Sequence, residues 1–274
     1  VEGIEATVAK RSEDGEFVEA LARGLNVIRA FSASHLSMTV SEVAKETNLA
    51  RPTARRLLLT LEQLGFVRSL EGSYILTPKV LELGMSYISA QGLWEIARPH
   101  LINLVTQTHE SSSMSQLDGS DIVYTARVPV QKIIGLSVNI GTKFPAFATS
   151  MGKVLLSELT SAELDRVLKT PSTSPVVPRL KSSRKELDAA LAEVRKRGWA
   201  MSDEQLSFGV RSIAAPVRDV NGRIMAAVNV TVNASETSIA FLKKSHLPLL
   251  LETADAITAD FARVTGLPTV DPLP

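Results

Sequence analysis

Residues 39–77 read TVSEVAKETNLARPTARRLLLTLEQLGFVRSLEGSYILT, and the order of signals in this stretch decides the fold of the N-terminal part. Thr39, three residues before Glu42, makes a capping box: the threonine hydroxyl accepts from the Glu42 amide, and the carboxylate reaches back to the Thr39 amide. A short helix to about Glu46 follows, with Val40, Val43 and Ala44 inward, and Asn48 suits a left-handed stop. The next helix starts near Arg51. Pro52 is tolerated there because first-turn amides have no helical partner. Its buried stripe is Ala54, Leu57, Leu58, Leu61 and Leu64, and Gly65 ends it. Residues 66–69 and 74–77 then read as two short strands around a Glu71-Gly72 turn. Upstream, Phe17, Leu21, Leu25, Ile28 and Phe31 recur at helical steps on one face. The sum is a helix, a helix–turn–helix and a two-stranded wing.

Arg51 and Arg55 are i, i+4 neighbours opposite the leucine stripe, and Arg56 flanks them. From Leu49 to Ser69 four arginines, with Arg68 in the wing, face one acid, Glu62, a local charge of +3. Such a cluster taken alone can be no more than a solvated face. Within a winged helix–turn–helix it points to DNA, because a helix fits the major groove and guanidinium pairs with guanine or clamps phosphate. The residues expected at DNA are Thr39, Arg51, Pro52, Thr53, Arg55, Arg56 and Arg68.

Working outward, the chain has 274 residues, 45% of them hydrophobic, and a net charge of +1. It is therefore neither disordered nor a polycation. The absence of cysteine excludes disulfides, thiolate metal sites and a cysteine nucleophile. No apolar run reaches the ~18–20 residues of a membrane helix. A membrane partner is thus not expected, and a cytoplasmic location is. The residues up to Glu16 mix two bases with five acids and read as a flexible tail. The expected organisation is a tail (1–16), a winged helix–turn–helix domain (17–78), a linker helix (79–91) opened by Pro78, and a larger domain (92–274).

The larger domain has a different texture. Helices are expected at 93–108, 149–158, 161–168, 184–197 and 236–264. Strands are expected at 112–117, 122–128, 135–140, 199–205, 212–218 and 224–233, with Asp118-Gly119 and Asn221-Gly222 as hairpin turns. This is an α+β arrangement around a mainly antiparallel sheet. Asn229 and Thr231 share one strand face and are polar within an apolar run, so they need partners from the protein or a ligand. Thr149 to Lys153 opens a helix whose free amides suit a carboxylate. Tyr124 and Phe144 can serve as pocket walls or as core. Arg218 suits a carboxylate or the surface.

Two enzyme signatures fail on inspection. Residues 148–152, ATSMG, resemble a nucleophile elbow with its first glycine replaced, but the only later histidine is His246, in a leucine-rich stretch. A metabolite-handling hydrolase with an accessory helical domain is therefore the alternative reading, not the main one. Gly152-Lys153 resembles the end of a phosphate loop, yet Phe147 and Val154 stand where its glycine and hydroxyl are needed. His35, His100 and His109 have no ligand spacing around them, so neither metal nor cofactor is expected.

Across 21–31 (LARGLNVIRAF), the capping box, 51–67 (RPTARRLLLTLEQLGFV) and 74–84 (YILTPKVLELG), the chain resembles the IclR family of bacterial transcription regulators. So do 92–101 (GLWEIARPHL), 117–128 (LDGSDIVYTARV), 141–157 (GTKFPAFATSMGKVLLS), 195–219 (RKRGWAMSDEQLSFGVRSIAAPVRD) and 224–232 (IMAAVNVTV). The long form of these motifs is most similar to the protocatechuate and β-ketoadipate (Pca/Pob-type) branch. The resemblance implies a GAF-like effector-binding domain, operator DNA as partner, a homodimer or tetramer, and control of aromatic-acid catabolism. Its effector would be a small organic acid, aromatic or dicarboxylic. Carried over by position, effector contacts fall on Ser150, Met151, Ser202, Asp203, Ser212, Asn229 and Thr231. Two positions depart from the family pattern. Ala50 lacks the hydroxyl of a helix cap, and Gln205 stands where glutamate is common.

Overall fold

The computed structural model describes residues 17–32, 34–84, 92–131 and 138–265. The tail expected at 1–16 lies outside them. The chain divides into two units, Val1–Ala90 and Gln91–Pro274.

In the first unit, α1 (Glu19–Ala30), α2 (Val40–Glu46) and α3 (Arg51–Gln63) pack around Val27, Phe31, Val43, Ala54 and Leu58. The capping box opens α2: Thr39 N donates to Glu42 Oε2 at 2.7 Å, and Glu42 N donates to Thr39 Oγ1 at 3.3 Å. That hydrogen bonding holds the Glu42 carboxyl below its usual range. The wing is β1 (Val67–Leu70) and β2 (Ser73–Leu76), one residue out from the expected bounds at each of their four ends. Glu71 and Gly72 both take positive φ, 49° and 83°, as a two-residue hairpin of this twist needs.

The inward face expected for the first helix is corrected. Val27 and Phe31 are buried, but Leu21 is 63% and Leu25 46% exposed. On α3, Leu64 is likewise exposed, past the end of the stripe. Of the helix expected at 79–91, Val80 to Gly84 is helical and the rest lies outside the described residues.

In the second unit α4 (Leu93–Thr108) leads into β3 (Ser111–Asp118) and β4 (Asp121–Val128). β5 (Lys143–Pro145) and a 3-10 turn (Ala146–Ala148) precede three helices, α5 (Ser150–Leu156), α6 (Ser161–Lys169) and α7 (Arg184–Arg197). Then come β6 (Ala200–Asp203), β7 (Val210–Arg218) and β8 (Ile224–Asn233). The chain continues as α8 (Ile239–Phe241), a wide π turn (Leu242–His246) and α9 (Leu247–Thr265). The six strands form one antiparallel sheet in the order β5-β4-β3-β8-β7-β6.

The period of two sorts the sheet's faces. Ile213, Ala215 and Val217 of β7, with Ala226, Val228, Val230 and Val232 of β8, pack on α4 and α9. Ala214 and Ala227 face the other way, onto the layer of α5 and α7. Two expectations are corrected here. Of the strand expected at 135–140, Val138 to Ile140 is loop and turn, 132–137 lies outside the described residues, and the strand lies instead at Lys143–Pro145. The helix expected at 236–264 is broken by the π turn, just before Pro248, which has no amide to donate to the helix. No helix of the described residues is long and apolar enough to cross a membrane.

Candidate functional site

The basic face of α3 is free. Arg51, Arg55, Arg56 and Arg68 are exposed, Pro52 is exposed and Thr53 half-buried. Among the described residues none of the four arginines makes an ion pair. Glu62, the one acid of the stretch, is turned away: its Oε1 accepts from the Ser69 amide at 2.8 Å and ties α3 to the wing. Thr39 spends its hydroxyl on the capping box, bonding Glu42 Oε2 at 2.9 Å. Ala50 starts α3 without a side-chain cap, so its first amides are open to an acceptor such as phosphate.

The second unit holds a cavity of about 40 Å³ between the sheet and α5. Six of the seven expected effector positions line it: Ser150, Met151, Ser202, Ser212, Asn229 and Thr231. The seventh, Asp203, does not line it. Alternation along β6 turns it from Ser202, and its Oδ1 accepts from Arg211 Nε at 2.6 Å. Tyr124 and Phe144 do line the cavity, edge to face with ring centres 5.6 Å apart. Burial pushes the Tyr124 hydroxyl up to about 12, so it stays neutral.

The polar groups form short chains. Ser150 Oγ and Ser212 Oγ lie 2.8 Å apart. Ser202 Oγ donates to the Ala148 carbonyl at 2.8 Å. Asn229 Oδ1 accepts from the Ser113 amide at 2.9 Å, while its Nδ2 donates to Thr231 Oγ1 at 2.9 Å. At the start of α5, Thr149 Oγ1 already accepts the Gly152 amide at 2.9 Å. Only seven residues long, α5 contributes little positive field.

The charge comes instead from Arg127, which sequence reasoning missed. Its guanidinium lines the cavity, half-buried, with Nη1 donating to Ser113 Oγ at 3.0 Å. Loss of water around it pushes its pKa down, against the opposing pull of Tyr124. Among the described residues it has no carboxylate partner. Strict alternation from Tyr124 puts Arg127 on the opposite face. A β-bulge changes that: Tyr124 pairs with Ser115, Ala126 with Met114 and Arg127 with Ser113, leaving Thr125 as the extra residue. Tyr124 and Arg127 therefore face the same cavity, and Ala126 goes to the apolar layer of α4.

The remaining candidates are structural. Gln205 donates to Ser182 Oγ at 2.8 Å, a bond a glutamate carboxylate has no proton to make. Arg218 bonds the Gly222 carbonyl at 2.7 Å and sits 3.5 Å from Glu158. His100 pairs with Asp260 at 2.8 Å. Among the described residues no cluster of potential ligands can hold a metal.

A winged helix–turn–helix with a free basic face, carried on one chain with a second unit built around a small cavity that an arginine lines, defines a DNA-binding regulator that senses a small molecule. Two family models match: the IclR helix-turn-helix domain over residues 20–71, and the bacterial transcriptional regulator IclR C-terminal over residues 85–259. The chain belongs to the IclR family of transcriptional regulators, not to an enzyme family. It is 36% identical over 253 residues to the Pca regulon regulatory protein of Pseudomonas putida, covering 90% of this chain and 87% of that one. It is 32% identical to the p-hydroxybenzoate hydroxylase transcriptional activator of Acinetobacter baylyi, covering 90% and 92%. A solved transcriptional regulator, RHA06195 of Rhodococcus sp. RHA1, is 47% identical with a TM-score of 0.79, covering 90% of this chain and all of that one.

Proposed function

We propose that this regulator reads operator DNA with Arg51, Arg55, Arg56 and Arg68, helped by Thr39, Pro52 and Thr53 at the helix starts. In its second unit it senses a small aromatic acid. The observation that carries the acid is Arg127: a half-buried guanidinium without a carboxylate partner, in a cavity otherwise lined by hydroxyls, an amide and two rings. A desolvated arginine binds a carboxylate in a bidentate pair. One cation and several hydroxyls suit a monoacid bearing ring hydroxyls better than a dicarboxylate, which brings a second charge with no counter-ion. Ser150, Ser202, Ser212, Asn229 and Thr231 would read those hydroxyls, and Met151, Tyr124 and Phe144 would hold the ring. Asp203 would act through Arg211, outside the ligand's reach. The Pca-type relatives support control of aromatic-acid catabolism.

A cavity of about 40 Å³ holds a few waters, not a benzene ring. The ligand must move a wall to enter, so binding is tied to a change of shape, as a sensor requires. DNA reading from one half-site is weak, so the working form would be a homodimer or a tetramer of such dimers. The exposed Leu21 and Leu25 of α1 and Leu81 and Leu83 after the wing supply apolar surface for it. An operator partner supports a cytoplasmic location.

The test is thermal unfolding with protocatechuate and with β-ketoadipate. A ligand at a hundred times its Kd adds about 2.7 kcal/mol to the native state. Protocatechuate is expected to raise the melting temperature of the wild type and to leave Arg127→Ala unmoved. A shift with β-ketoadipate alone would replace the aromatic class by the dicarboxylic one. An equal protocatechuate shift in Arg127→Ala would refute the role of that arginine.

A further inference from the structure

On the other side of the segment Phe144–Ala148 lies a second pocket, half open, of about 420 Å³. Four pieces of chain converge on it: the β3–β4 turn at Ser120, residues Pro145 and Phe147, the end of α6 through Ser172, and the start of α7. Its floor is apolar, built from Pro145, Phe147, Leu168, Pro171 and Leu187. Its rim carries Lys169 and Lys181, both exposed.

Those two ammonium groups make no ion pair among the described residues. The neighbouring acids are engaged elsewhere. Asp165, whose field reaches Lys169, is bonded to Arg184, and Asp188 takes Arg184 Nε at 2.8 Å. Asp121 is saturated by the Ser172 hydroxyl at 2.6 Å and by the amide and hydroxyl of Thr173 at 2.7 and 3.0 Å. The third observation is independent of charge. Ser120 lines the same pocket, and its Oγ is a buried polar atom with no hydrogen-bond partner among the described residues. Buried hydroxyls are nearly always paired, so this one is left for a water or for a ligand oxygen that enters the pocket.

We propose that this pocket is a second ligand site for a small amphipathic organic anion. The apolar floor takes its hydrocarbon body, Lys169 and Lys181 take its carboxylate, and Ser120 Oγ bonds a further oxygen. Volume, apolar lining and few convergent polar groups are what small-molecule sites have in common. The site shares a wall with the Arg127 cavity: Phe144 and Ala148 line the cavity, while Pro145 and Phe147, between them, line the pocket. Gln205 bonds the pocket residue Ser182, and the next residue, Leu206, lines the cavity.

The full chain is titrated with 4-fluorobenzoate and read by fluorine NMR, for the wild type, Arg127→Ala, Lys169→Glu/Lys181→Glu and Ser120→Ala. The charge reversals are at exposed positions, and an unchanged melting temperature verifies the fold. The expected result is a binding event that survives Arg127→Ala, weakens at least about tenfold in Lys169→Glu/Lys181→Glu, and weakens severalfold in Ser120→Ala. Survival of that event with no Arg127-dependent one supports the pocket and counts against the cavity reading. The pocket is overturned if Arg127→Ala abolishes all binding up to millimolar probe, or if the charge reversal leaves the Arg127-independent event unchanged.

Discussion

Replacing Gly152 with alanine would put a methyl carbon 2.0 Å from the Ala146 carbonyl oxygen and 2.5 Å from its Cα. Backbone cannot step aside as a side chain can, so α5 must move off the 3-10 turn. A loss of about 2–3 kcal/mol is expected in chemical unfolding, together with loss of acid binding. Lys153, the next residue, carries a pH signature. Burial, with the Arg197 charge behind it, pushes its ammonium down to about 8, while Nζ donates to the Met201 carbonyl at 3.0 Å. A lysine lowered by folding costs stability wherever the unfolded chain is charged and the folded form must be. As pH rises through about 8 the folded form sheds its proton first, and the cost fades towards the unfolded value of about 10.4. Lys153→Met should therefore be more stable than the wild type at about pH 7, with the gap narrowing between about pH 8 and 10 in urea melts. A constant gap would contradict the buried charge. At this scale the need of Asn229 and Thr231 for partners was legible, because a polar residue in an apolar run must be explained, whereas Ser150 came only from the family resemblance. Arg127 was not, because a bulge leaves no mark in hydrophobic pattern and alternation assigns the wrong face. Asp203 was misplaced for the complementary reason, as neighbours on a strand point apart.

Elements with local causes were read closely. α4 ends at the residues expected, and α2 opens on a capping box whose partners are three residues apart. Elements fixed by distant contacts were not. β5 has three residues and exists because β4 offers it an edge, with Ile122 against Phe144. The apolar stripe of α1 predicted burial for Leu21 and Leu25, but among the described residues the core takes up Val27 and Phe31, with Ile28 partly buried against it. For α3 the expected outcome concerns salt. Arg51→Ala and Arg55→Ala should each weaken operator binding, and the salt dependence of binding should become shallower by roughly one unit for each lost phosphate contact. Fluorescence anisotropy across a salt series measures both. Unchanged affinity and slope in both variants would remove α3 from the interface.

For the whole molecule, the net charge of +1 conceals a division: an acidic stretch up to Glu16 and a local +3 around α3. With sensing in the second unit and reading in the first, as proposed, the two ligands would communicate by favouring the same global state. Linkage then fixes a quantitative expectation: whatever factor the acid imposes on operator affinity, operator DNA must impose on acid affinity. Calorimetric titration of the acid with and without bound operator checks it, and unequal apparent factors would show that one of the ligands also changes the oligomer. The small volume of the cavity has one more consequence. An acid small enough to sit on Arg127 within about 40 Å³, such as formate or acetate, pushes no wall. On the proposed reading it would occupy the arginine silently and act as an antagonist, and the size of the hydrocarbon part, rather than the carboxylate that anchors it, would carry the message.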